Sequence, residues 1–259
     1  MENIKMKLFI ITGLSFLLFL AFSVDTKNEQ SSIDDHDLVF TELAKTWDEG
    51  IPLGNGTIGV LIWKKENKLR FSLDRADLWD LRPMDNLNTS EWSFEWVYQQ
   101  WKNNNYKAVQ KNFDMPYDKS PAPSKIPAGA LEFNIENFGE IESVRLILDD
   151  AVCKVKWKNG VLLTTFVHAS KSNGWYRFDG LKNLDLSPQM IMPDYALKGE
   201  DAKTINSLKG QDLRRLGYKE GTILKGENEI TFDQKGWNEF NYQIHTKWKT
   251  WKNSLEGTW

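Results

Sequence analysis

Gly54, Gly56 and Gly59 stand at the spacing G-x-G-x-x-G, the pattern that brings a backbone close to a dinucleotide pyrophosphate at the start of a helix. That chemistry needs a strand before the glycines and a helix after them. Here Pro52 interrupts the approach, and the residues beyond the glycines are β-type: an apolar run from Ile58 to Trp63, a polar turn over 64–68, then Leu69–Asp74. No βαβ unit is available, so dinucleotide binding is excluded. What remains for Leu53-Gly54-Asn55-Gly56 is a tight turn, because Asn and Gly tolerate positive φ at little cost.

Acid–base work would call for paired carboxylates, and nucleophilic work for a hydroxyl or thiol beside a base. Asp74, Asp77 and Asp80 recur every three residues at a strand end, and Asp149-Asp150 sits in a turn. Solvated loop acids account for both groups, since Asp favours such positions. His36, His168 and His245 are scattered, and no His/Cys/Asp/Glu group has metal-ligand spacing, so neither a metal nor a cofactor is expected. His168-Ala169-Ser170 places His near Ser along one strand, and no triad is expected there. Cys153 is the only cysteine, which rules out an intrachain disulfide. It alternates with Val155 and Trp157 and reads as a buried small hydrophobe.

The elements that position these residues are mostly strands. Cys153, Val155 and Trp157 alternate with Lys154, Lys156 and Lys158, giving one apolar and one charged face. Asn159-Gly160 supplies a two-residue hairpin turn, and Val161–His168 returns as an inner strand. Ala130–Ile135 and Glu142–Leu148 read as further strands. A helical insert is expected around 90–113: Thr89 or Ser90 as cap, Trp92, Trp96 and Val97 on one face, a weak point at Asn103–Asn105, then Tyr106, Val109 and Phe113. It would cover one face of the sheet. Pro116 to Pro127 is the main loop. Phe240, Tyr242, Ile244, Thr246 and Trp248 alternate with polar residues, as in a half-exposed final strand. The fold class is mainly β, an antiparallel β-sandwich with a helical insert.

Residues 1–23 read as a secretory signal peptide: Lys5 and Lys7, the apolar Leu8–Phe22, and the small-x-small site Ala21-Phe22-Ser23. The apolar run is shorter than the ~20 residues of a membrane-spanning helix. Export to the periplasm or the extracellular space is expected, with no membrane association after cleavage. Residues 24–37 form a polar linker, 38–250 the sandwich, and 251–259 the start of a connection to a further domain. A net charge of −3 gives no footprint for nucleic acid. Twelve tryptophans suit a sugar-stacking surface and a well-filled sandwich core alike.

Trp47, Glu49, Pro52, Leu53, Gly54, Asn55, Gly56 and Gly59, with Leu73, Asp77, Leu78 and Trp79 in support, carry a resemblance to the N-terminal domain of family 95 glycoside hydrolases. Those enzymes are α-L-fucosidases and α-L-galactosidases. Pro127-Ala128-Gly129-Ala130-Leu131 and Leu146-x-Leu148-Asp149-x-Ala151 extend the resemblance, which spans roughly residues 40–250. Asp74-Arg75 replaces the Asn-Glu usual in that family, and the Arg-Glu before His168 is missing, which marks a divergent branch. The resemblance implies a supersandwich-like domain that packs against a catalytic (α/α)6 barrel, in cis or in trans. That barrel would supply the Glu acid and an Asp/Asn-assisted water for inverting hydrolysis, so no catalytic residue is expected within this sequence. Asn55, Trp79 and Arg82 are the candidates for loop contacts with a plant or host glycan; a structural turn and a core Trp are the plainer explanations. The alternative is a stand-alone exported carbohydrate-binding sandwich without catalytic activity.

Overall fold

The computed structural model describes residues 36–84, 89–115, 120, 122–182, 186–195 and 213–259. The expected signal peptide and nearly all of the expected linker lie outside these residues.

Sixteen strands are described, and the antiparallel sandwich expected from the sequence is what they form. β1 (Leu38–Phe40), β8 (Ile141–Ile147), β9 (Val152–Trp157), β10 (Leu162–Val167), β11 (Gly174–Asp179), β13 (Thr222–Lys225), β14 (Glu229–Lys235), β15 (Asn241–Trp251) and β16 (Ser254–Thr258) make one sheet. Its order is β1-β8-β9-β10-β11-β16-β15-β14-β13. The second sheet contains β2 (Ile51–Gly54), β3 (Ile58–Lys65), β4 (Lys68–Arg75), β7 (Gly129–Asn134) and β12 (Gln189–Ile191), in the order β12-β7-β4-β3-β2. A two-stranded ribbon joins β5 (Trp79–Asp80) to β6 (Ser124–Lys125).

Local sequence explains the central hairpin of the second sheet. Ile58, Val60 and Ile62 alternate inward on β3, as do Leu69, Phe71 and Leu73 on β4, and the register sets Ile62 opposite Phe71. A one-residue slip would turn both apolar sets toward water. Facing rings then lock the sheets together. Phe133 on β7 lies 5.0 Å from both Tyr176 and Phe178 on β11, and Phe71 on β4 meets Tyr176 edge-on at 6.3 Å. Each such ring, fully withdrawn from water, contributes about 1.5–3 kcal/mol.

The Cys153/Val155/Trp157 stripe is fully buried, as its alternation predicts, and the turn after it closes at Gly160 with φ of 91°. β10 lies between β9 and β11, so it is indeed an inner strand.

Two expectations need correction. Residues 251–259 are not a connection leaving the sandwich: β16 inserts between β11 and β15, its Leu255 is fully buried, and Trp259 exchanges two backbone hydrogen bonds with Gly174. Ser254, Glu256, Gly257 and Thr258 give little local sign of a strand, and tertiary pairing overrides that weak propensity. β15 is accordingly an interior strand rather than the last one.

The insert does form two helices, α1 (Phe94–Lys102) and α2 (Tyr106–Phe113), broken at Asn103–Asn105 where Asn104 takes a positive φ of 53°. The cap is Ser93, whose Oγ accepts from the Trp96 N–H, rather than Thr89 or Ser90. Neither helix buries a residue, so the insert does not blanket a sheet. Instead Trp92 and Trp96 pack on Phe113, at 4.6 and 6.3 Å.

Candidate functional site

The best-formed constellation centres on Asp80. Its strand pairs with β6, and period-two alternation turns Asp80 inward while leaving Trp79 half-exposed on the other side. Two residues on, Arg82 folds back and grips that carboxylate. Its backbone N–H and Nε donate to Asp80 Oδ1, both at 3.0 Å, and its Nη2 donates to Oδ2 at 2.7 Å. The Tyr218 hydroxyl donates to the same Oδ2 at 2.8 Å. Nη2 also donates to the Leu216 carbonyl at 2.7 Å, and the guanidinium lies 6.0 Å over the Tyr218 ring. Arg82 thus ties the ribbon to residues 213–221, which are 131–139 positions later in the chain and are anchored by the buried Leu213 and Leu216.

Burial pushes the Asp80 carboxyl up, but the Arg82 side chain and backbone N–H and the Tyr218 hydroxyl outweigh it, so it stays below the ordinary carboxylate value. Burial and the bond to Asp80 push Tyr218 up to about 12, which keeps the hydroxyl a donor. Arg82 is raised by Asp80 and is permanently charged.

Beside this triad opens a cavity of about 660 Å³, lined by Arg82, the chain from Leu216 to Thr222, Asp233, and residues 235–238 around the turn after β14. A buried amide fixes its wall. Gln234 accepts from the Tyr195 hydroxyl and donates to the carbonyls of Lys219 (3.1 Å) and Lys235 (2.6 Å). Gly221 and Gly236 permit the close approach: a Cβ at Gly221 would sit 2.5 Å from the Asp233 carbonyl, and one at Gly236 would sit 2.9 Å from the Tyr218 hydroxyl. Trp237, at the rim, is 40% exposed.

The profile of the glycosyl hydrolase family 65 N-terminal domain matches residues 38–187. The chain belongs to that family. No curated protein matches the chain. The family 65 match covers β1 to β11 and most of the residues behind the family 95 resemblance, but it speaks for a glycoside hydrolase N-terminal sandwich rather than for family 95 in particular.

Of the three candidate contacts, this family 65 N-terminal domain places only Arg82 at the cavity. Asn55 is a pin. Its amide donates to the carbonyls of His168 (2.8 Å) and Lys171 (3.0 Å) and accepts from the N–H groups of Thr57 (2.9 Å) and Ile58 (3.0 Å). Two donors and two lone pairs are thereby used, which leaves the side chain nothing to offer a sugar. Trp79 spends its indole N–H on the Ala76 carbonyl at 3.1 Å, although its ring stays available to solvent.

Most of the other residues considered for chemistry are tied down or buried. Asp74 pairs with Lys125 at 2.5 Å and Asp77 with Arg75 at 2.7 Å. Asp149 and Asp150 lie exposed in the turn after β8. His168 lies in the loop after β10, where its Nδ1 accepts from the N–H groups of Ser170 (3.1 Å) and Lys171 (3.2 Å). It therefore organises a turn and is not aimed at the Ser170 hydroxyl. Cys153 is buried, and burial pushes its thiol up to about 12. Among the described residues no group of three or more His, Cys, Asp or Glu side chains could hold a metal.

Sequence reasoning missed Tyr218 and Trp237. The available signals were Gly217-Tyr218 and the turn letters Gly236-Trp237-Asn238, but nothing local shows that these meet residue 82. Exposed aromatic rings gather elsewhere too: Phe94, Tyr98 and Trp101 line one side of α1 with near-parallel neighbouring rings at 5.9 and 5.6 Å.

Proposed function

We propose that this domain is the N-terminal sandwich of an exported glycoside hydrolase of the α-L-fucosidase and α-L-galactosidase type. It works beside an (α/α)6 barrel, in cis or in trans, that supplies the catalytic acid and the water-activating groups. Membership of the family 65 N-terminal domain family carries the glycosidase reading. The finer assignment rests on Trp47, Glu49 and Pro52-Leu53-Gly54-Asn55-Gly56, with Asp77-Leu78-Trp79 after them.

The carboxylates support placing the chemistry on another domain. A general acid for glycoside cleavage needs a carboxyl raised toward neutrality, set across the scissile bond from a second one. Asp37, Asp77, Asp80, Glu91, Glu140 and Asp179 are all held below their ordinary values, chiefly by hydrogen bonds to Leu148 N–H for Asp37, to Arg75 for Asp77, to Lys158 for Glu140 and to Arg177 for Asp179. Such groups are acceptors and ion-pair partners at neutral pH, not proton donors.

The deciding experiment is hydrolysis of aryl α-L-fucoside and α-L-galactoside, run in parallel on the native exported protein and on residues 24–259 alone, with intact mass measured for each. We expect turnover with inversion of the anomeric centre in the native protein and none in the shorter chain. Turnover by residues 24–259 alone would overturn the division of labour. A native protein that cleaves neither glycoside would overturn the α-L-fucosidase/α-L-galactosidase assignment.

A further inference from the structure

We infer that the cavity between Arg82, Tyr218 and Trp237 is a saccharide-binding subsite of the domain itself, a step that rests on the glycosidase reading above. Three observations carry it. First, Arg82 is presented rather than merely buried. Asp80 and Leu216 hold Nε and Nη2, while Nη1 makes no hydrogen bond among the described residues and the side chain is 27% exposed where it lines the cavity. A guanidinium fixed on one side and open on the other is a preorganised pair of donors for adjacent hydroxyl oxygens.

Second, Trp237 offers a large apolar ring at the rim of a cavity whose lining mixes apolar and polar groups. Its backbone is not free to drift: Gly236 N–H donates to the Phe240 carbonyl at 2.8 Å, and Phe240 N–H to the Trp237 carbonyl at 3.2 Å. A part-exposed indole on an anchored backbone suits the C–H face of a pyranose ring.

Third, the lining selects the ligand class. Lys219 and Lys235 stand against Glu220 and Asp233, and Arg82 is paired with Asp80, so neither sign dominates and a multiply charged ligand gains little. An apolar ligand would strand these groups without partners, at a cost for each. A ring of hydroxyls, each at once donor and acceptor, satisfies both signs. The volume of about 660 Å³ falls within the ~300–1,000 Å³ common for small-ligand sites.

The test is saturation-transfer NMR on the purified chain with the methyl glycosides of L-fucose, D-galactose and D-glucose. Saturable binding of at least one glycoside is expected, weakened about tenfold or more by Trp237→Ala with the thermal midpoint unchanged. Arg82→Lys, which keeps the charge but loses the fork, should weaken it as well. Failure of all three glycosides to bind, or equal binding by Trp237→Ala, overturns the subsite. Hydrolysis of aryl glycosides by the native protein is read beside it. Turnover together with Trp237-independent binding sinks the subsite and leaves the enzyme reading standing. Trp237-dependent binding without turnover supports the subsite and sinks the enzyme reading alone.

Discussion

Replacing Asp80 by Asn should be among the most damaging single-atom changes available in this domain. Asp80 is fully buried and accepts from the Arg82 backbone, from Nε and Nη2 of its guanidinium, and from the Tyr218 hydroxyl. The change leaves the shape intact but strands the Arg82 charge and turns an NH₂ group toward existing donors. Breaking a fully buried pair in this way costs about 3–5 kcal/mol. Water reaches Arg82, whose side chain is 27% exposed, and that moves the expectation to about 2–3 kcal/mol. With a urea slope of about 2 kcal/mol/M, the midpoint should fall by about 1–1.5 M with the slope unchanged. The effect is also pH-dependent. The folded-state value of Asp80 is depressed, so its contribution is complete above the unfolded carboxylate value of about 4 and is lost as pH falls through the lower folded value. The gap between wild type and Asp80→Asn should therefore be widest near neutrality and close progressively below pH ~4. A midpoint shift under about 0.3 M at pH 7, or a gap that widens in acid, would refute the reasoning.

Other consequences are open to simpler assays. Asn55→Ala removes four hydrogen bonds joining the β2–β3 turn to the loop after β10, and should cost about 1–3 kcal/mol while raising amide exchange at residues 54–58 and 168–171. Unchanged exchange at 168–171 would show that the pin does not matter. Gly257→Ala drives a Cβ into the Tyr176 hydroxyl and to 2.6 Å from the Lys247 carbonyl, so thermal denaturation should reveal a loss of about 1–3 kcal/mol. A neutral result would contradict the interior place of β16. Cys153 should resist a maleimide at pH 8 in the native protein and react once urea unfolds it, because the thiol is buried and its pKa is pushed up to about 12. Rapid native labelling would mean that β9 opens.

The hairpins are legible in the sequence because their signals are local. The Asn159-Gly160 turn and the Cys153/Val155/Trp157 stripe fix both the turn and the buried face, and the β3–β4 pairing rests on two matched apolar alternations. The helical insert is legible for the same reason, including its break at Asn103–Asn105. Long-range partners are where the reading fails. Ser254–Thr258 looks like a trailing segment until β11 and β15 close on it. Asn55 looks like an exposed turn residue until carbonyls 113 and 116 positions away take its donors.

The sequence by itself determined the mainly β character, the inward stripes and the opening motif, because period-two burial and turn chemistry act over a few residues. The tertiary structure decided which polar groups remain for a ligand. Asp80 and Arg82 are two residues apart, but Tyr218 and Trp237 reach them only once residues 213–221 and the β14–β15 turn have packed alongside. A side chain's free hydrogen-bonding capacity is what its partners leave over, and those partners are set by packing between segments distant in the chain.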